Sequence, residues 1–205
     1  MTKQMVAVFG GSFSCNPPSQ VAKKAWSQAF GVEVVDFGIG GTGFLAGAEA
    51  HNDVPNQIFR AFASGNWFCA FVLWASTNDI HEHTVEEQNA SIERCVEKIR
   101  AESPDSAVLL FASMPVPLDL EKNVLLGRFV EGQIATCARL GVPCLDLYHR
   151  SGITAENAEH LTEADRFHPN EAAYAMVKDL QVEFLRTHVG VSLTQRRREA
   201  EARRD

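Results

Sequence analysis

Two hydrophobic rhythms alternate along the chain. Short apolar runs at 5–9, 32–36, 68–74, 107–112 and 142–147 read as strands. The run from Phe68 to Trp74 carries no polar residue, which is the pattern of a parallel strand covered on both faces. Between these runs the apolar residues recur with a helical period. Val21, Ala22, Ala25, Trp26 and Ala29 give a helix over 19–30, with Ser19 as its expected N-cap and Gly31 as its stop. Ile58, Phe59, Phe62 and Ala63 mark a helix over 54–64 with these four inward. Thr84-Val85-Glu86-Glu87 is a capping box for a helix over 84–100, and further helices are expected over 120–140 and 170–188. Strand followed by helix, five times over, predicts an α/β fold with a parallel sheet and right-handed crossovers.

Neither an internal repeat nor a linker divides the chain, so residues 1–190 are expected to form one domain and 191–205 a charged C-terminal tail, rich in arginine and glutamate. A length of 205 residues is enough for one sizeable core. The net charge of −7 argues against nucleic acid or an anionic membrane as a partner of the body. No run reaches the roughly 18 apolar residues of a membrane span, and no signal-peptide core precedes the first strand, so a cytoplasmic location is expected. The odd cysteine count, without a Cys-x-x-Cys pair, reads as free thiols. Cys69, Cys95, Cys137 and Cys144 lie in apolar stretches as core residues, while Cys15 lies three residues beyond Ser12.

Four short segments concentrate the chemistry. Phe9-Gly10-Gly11-Ser12-Phe13-Ser14 follows the first strand, Asp36-Phe37-Gly38-Ile39-Gly40-Gly41 the second and Ala75-Ser76-Thr77-Asn78-Asp79 the third; Asp165-Arg166-Phe167-His168-Pro169 opens the last helix. In this order and spacing they resemble the blocks of the SGNH hydrolases, also called GDSL esterases and lipases. Three positions depart from that pattern: Gly11 stands where the family usually has Asp, Asp36 where the second block usually opens with Asn, and Ser76 where the third usually has Gly. The resemblance spans residues 6–169. It implies a three-layer α/β/α fold with a five-stranded parallel sheet in the flavodoxin-like order 2-1-3-4-5. In that order Ser12, Gly41 and Asn78 follow neighbouring strands and converge on the crevice where strand order reverses.

The roles implied are those of a metal-independent serine esterase without a cofactor. Ser12 is the nucleophile, His168 the base and later the acid, and Asp165 the partner of the imidazole. The backbone N–H groups of Ser12 and Gly41 and the side-chain amide of Asn78 form the oxyanion hole. Phe13, Phe44 and Met114 are expected to line the substrate pocket, and short loops favour a small acyl group such as acetyl, on a small-molecule or carbohydrate ester. Other readings of the same residues remain. Ser12 or His168 could merely cap a helix, the glycine-rich loop could hold a phosphate, Cys15 could be a nucleophile, and His81-Glu82-His83 could ligate a metal. A crevice that binds a sugar or small ester without turnover, or a nucleotide, is the corresponding alternative function.

Overall fold

A computed structural model describes residues 4–202, with side chains through residue 189. Five strands, β1 (Met5–Gly10), β2 (Glu33–Asp36), β3 (Phe68–Trp74), β4 (Ala107–Phe111) and β5 (Cys144–Leu145), form one parallel sheet in the order β2-β1-β3-β4-β5. The helices are α1 (Ser12–Cys15), α2 (Gln20–Phe30), α3 (Val54–Ala63), α4 (Val85–Glu102), α5 (Leu120–Leu140), α6 (Leu147–Arg150), α7 (Ala158–Leu161) and α8 (Glu171–Ala202). The chain moves one way across the sheet from β1 to β2 and the other way from β2 through β5. Right-handed crossovers therefore put α2 on one face and α3, α4 and α5 on the other. The packing agrees: α8 returns against α2, while α4 packs on both α3 and α5.

The core lies on both faces of β1 and β3. All seven residues of β3 are buried, and Phe9 stacks between Phe37 and Phe71 at 5.5 and 5.9 Å. On the other face Trp26, Trp74 and Phe111 form an aromatic cluster with centroids 5.4–6.0 Å apart. Each such side chain contributes about 1.5–3 kcal/mol on burial.

Several local expectations change. The fifth strand is only two residues long. Pro143 cannot donate to a ladder, and the Asp146 carboxylate accepts the His149 N–H and starts α6. Ser19 does not cap α2 with its side chain: its hydroxyl donates back to the Ser14 and Asn16 carbonyls. On α3 the inward stripe is Val54, Gln57, Ile58 and Ala61, and Phe59 points outward with 65% exposure. The last helix continues to Ala202, and the side chains of the arginine-rich tail lie outside the described residues.

Candidate active site

The sheet order makes the loops after β1 and β3 neighbours at the point where strand order reverses. At the end of β1, Gly10 has φ +152, and a Cβ there would meet the Trp74 carbonyl at 2.3 Å, so only glycine fits. The chain turns at once into α1, whose first residue is Ser12. The N–H of a first helical residue has no intrahelical acceptor, and that of Ser12 has no partner among the described residues. Two contacts fix this turn: from outside, the buried Tyr174 hydroxyl donates to the Phe13 carbonyl (2.6 Å), and within it Ser14 Oγ donates to the Gly11 carbonyl (2.9 Å).

Asp165 and His168 arrive from the far end of the chain on the loop between α7 and α8. An antiparallel bridge between Thr162 and Pro169 closes that loop, and Arg166 takes φ +61 within it. His168 Nε2 is 2.9 Å from Ser12 Oγ, and His168 Nδ1 is 2.6 Å from Asp165 Oδ2. The other Asp165 oxygen accepts the backbone N–H groups of Phe167 (2.9 Å) and His168 (3.0 Å). Partial burial pushes the Asp165 carboxyl up, but the histidine ring and the two amides outweigh it and bring it down to about 2. The carboxylate is therefore ionised at neutral pH and holds the proton on Nδ1, leaving the Nε2 lone pair toward Ser12. Phe13 and Phe167 meet the imidazole edge-on at 5.9 and 5.1 Å and restrict its rotation. His168 is not the cap of α8; Asn170 is, with Oδ1 accepting the N–H groups of Ala172 and Ala173.

On the loop after β2, Gly41 is exposed at φ +76, a conformation that suits glycine. Asn78 Nδ2 donates to the Thr42 carbonyl (2.8 Å) and lies 3.2 Å from Ser76 Oγ. The loop over 42–46 is held by Asp79, which is fully buried and accepts the backbone N–H groups of Phe44 (2.9 Å), Leu45 (3.0 Å) and Ala46 (2.8 Å) together with Gln88 Nε2 (2.8 Å). Gln133 in turn donates to Gln88 Oε1 (2.9 Å).

Ser12, His168 and Asp165 are thus joined in one hydrogen-bonded chain, and Asn78 and Thr42, the residue after Gly41, lie against Gly11 beside Ser12. Phe13, Phe44 and Met114 are not lining residues: each has no accessible surface, because the first two pack inward beneath the loops they belong to and Met114 joins the core. Cys15 is half-buried, and burial, with Asp36 nearby, pushes its thiol up, away from the thiolate a nucleophile needs. Asp36 itself pairs with the buried Lys23. Among the described residues no three His, Cys, Asp or Glu side chains group as a metal site, and His81 and Glu82 are exposed.

The sequence matches the GDSL-like lipase/acylhydrolase family over residues 6–176. The chain belongs to that family. This SGNH hydrolase shares its fold with a lipase/acylhydrolase from Enterococcus faecalis (TM-score 0.69, 17% identity, covering 90% of this chain and 96% of that one). It is similarly close to a member of the lipolytic G-D-S-L family from Veillonella parvula (TM-score 0.63, 17% identity, 87% and 97% covered). A catalytic variant of an acetylxylan esterase from Geobacillus stearothermophilus superposes with a TM-score of 0.66 at 13% identity, with 93% and 96% covered. A comparison with curated protein sequences finds no match. As a GDSL-like acylhydrolase the protein is an ester hydrolase, and no helix among its described residues is long and apolar enough to cross a membrane.

Gln57 escapes a motif-based reading of this hydrolase. It is fully buried, its Oε1 accepts the Gly10 N–H (2.8 Å), and its Nε2 lies 3.1 Å from the Gly10 carbonyl, 2.9 Å from Thr42 Oγ1 and 2.9 Å from the Asn52 carbonyl. One amide therefore ties the strand before Ser12 to the loop that carries Gly41. The signal was present: a glutamine on the apolar stripe Val54, Gln57, Ile58, Ala61 has to satisfy buried backbone. Gln57→Leu keeps most of the volume but leaves the Gly10 N–H unpaired, so urea denaturation is expected to show a loss of about 2–3 kcal/mol. An unchanged midpoint would contradict the role.

Proposed function

We propose that the protein is a serine esterase that removes a short acyl group, acetyl in the first place, from a polar alcohol such as a carbohydrate, through an acyl-enzyme. The observation that carries this reading is the continuous Ser12–His168–Asp165 relay, at 2.9 and 2.6 Å. His168 Nε2 takes the proton as Ser12 Oγ attacks the ester carbonyl. The tetrahedral oxyanion is met by the N–H groups of Ser12 and Gly41 and by Asn78 Nδ2, each such donor being worth about 10²–10³ in turnover. When the intermediate collapses, the C–O bond to the alcohol breaks and His168 returns the proton to the leaving oxygen. Water then gives its proton to His168 and its oxygen to the acyl carbon, and Ser12 recovers its hydrogen from the imidazolium.

A short acyl group is favoured because Phe13, Phe44 and Met114 offer no open apolar surface for a long chain. A polar alcohol suits the polar surface beside the Asp165 loop, where Glu159, Thr162, Glu163, Ala164 and Arg166 line an open depression of about 320 Å³ that includes neither Ser12 nor His168. The likeness to an acetylxylan esterase points the same way. Hydrolysis of p-nitrophenyl acetate, butyrate and octanoate tests the acyl preference: kcat/KM is expected to fall at least tenfold from acetate to octanoate. A rise with chain length would overturn the short-acyl reading, and inertness toward all three together with failure of Ser12 to react with a fluorophosphonate would overturn the esterase reading.

A further inference from the structure

Gly11 and Ser76 meet across the crevice wall, and each departs from the residue the family usually places there. Gly11 has φ −94 and ψ −154, extended backbone that any residue adopts, so its lack of a side chain has nothing to do with conformation. The reason is space. A Cβ on Gly11 would stand 2.3 Å from the Thr42 carbonyl oxygen, 2.8 Å from Asn78 Nδ2 and 3.0 Å from Ser76 Cβ. Ser76 occupies the neighbouring volume and is buried. Its hydroxyl donates to the Thr42 carbonyl at 2.8 Å, the same oxygen that accepts from Asn78 Nδ2 at 2.8 Å, and Ser76 Oγ lies 3.2 Å from that nitrogen.

A hydroxyl has one proton and two lone pairs. With its proton on Thr42, Ser76 presents only lone pairs to Asn78. The Asn78 amide thus faces two acceptors, and its nitrogen, not its oxygen, must be turned toward them. The two acceptors are themselves only 2.8 Å apart, too close to be met by separate hydrogens that diverge by about 120°, so one hydrogen is shared between Thr42 and Ser76 and the other is left for a negatively charged oxygen.

We propose that Ser76 is a positioning residue for Asn78: it occupies the space kept open by Gly11 and orients the Asn78 amide as a donor toward the crevice. The departures at Gly11 and Ser76 are then a single exchange, in which a side chain is lost on one wall and gained on the facing one. This proposal rests on Asn78 serving the oxyanion.

The test is a cycle of Ser76→Ala, Asn78→Ala and the double variant, assayed with p-nitrophenyl acetate. Ser76→Ala is expected to lower kcat about tenfold with KM within twofold, and to lower it less than twofold further when Asn78 is already alanine. An unchanged kcat, or the same loss in both backgrounds, overturns the proposal. Should the wild type itself prove inactive, the esterase reading fails separately, and the Asn78 side-chain amide resonances of ¹⁵N-labelled protein, assigned by their loss in Asn78→Ala, decide. They are expected to move toward the position of a free amide in Ser76→Ala; resonances that stay in place overturn the proposal.

Discussion

Ser12→Ala is expected to lower kcat toward p-nitrophenyl acetate by about 10⁴-fold or more while leaving the thermal midpoint within a few degrees of wild type. The activity loss follows because the proposed acyl-enzyme has no other oxygen on which to form. Ser14 is buried with its hydroxyl committed to the Gly11 carbonyl, and the Cys15 thiol is pushed away from ionisation. What survives is the contribution of the oxyanion donors and of binding. Stability is spared because Ser12 is only partly buried, opens a helix where alanine is well tolerated, and makes one side-chain hydrogen bond, to a partly exposed imidazole. Retention of more than a hundredth of the activity would remove Ser12 from the role of nucleophile. An equal loss of activity and of folded structure would make its role structural.

Asp79→Ala is expected to be the most damaging single change away from the reacting atoms. It removes the acceptor of three consecutive backbone N–H groups and of Gln88 Nε2, all at a site with no exposure of the carboxylate. Buried donors left without a partner cost about 1–3 kcal/mol each, partly recovered where water enters, so a loss of about 3–5 kcal/mol is expected from urea denaturation. Asp79→Asn does not restore the wild type, since its NH₂ would face donors in place of one acceptor oxygen. Activity should fall in both variants even where they remain folded, because the segment held by Asp79 begins three residues after Gly41. A stability loss below about 1 kcal/mol would show that the 44–46 amides find other partners.

The main architecture was legible from the sequence because strand and helix differ so clearly in period here. β3 and the capped helix α4 lie where the pattern predicts, and Thr84 and Glu87 make both bonds of the capping box. The relay was legible because its residues are sequence-local or sit at strand ends: Asp165 and His168 are three apart, and Ser12 and Asn78 follow adjacent strands. What could not be read were residues whose value depends on tertiary neighbours. Gln57, Gln88 and Tyr174 are ordinary in sequence and become significant only because their partners lie 47, 9 and 161 residues away. The pocket residues were misjudged for a related reason. Phe13 and Phe44 lie in loops at the right edge of the sheet, but loop position does not say which way a side chain turns, and large apolar rings turn inward. The reason for Gly11 is likewise tertiary, since the carbonyl that a Cβ there would meet comes from Thr42, 31 positions along the chain.

The hydrogen bond between Ser12 and His168 joins residues 156 positions apart, and α8, directly after the histidine loop, packs on α2, which begins at Gln20. A ribosome therefore releases the proposed nucleophile long before its proposed base. A nascent chain carrying Ser12, Gly41 and Asn78 already holds every proposed oxyanion donor, yet it stays chemically silent until the last helix docks. On the proposed mechanism, ester turnover in this protein is thus a readout of completed synthesis and folding.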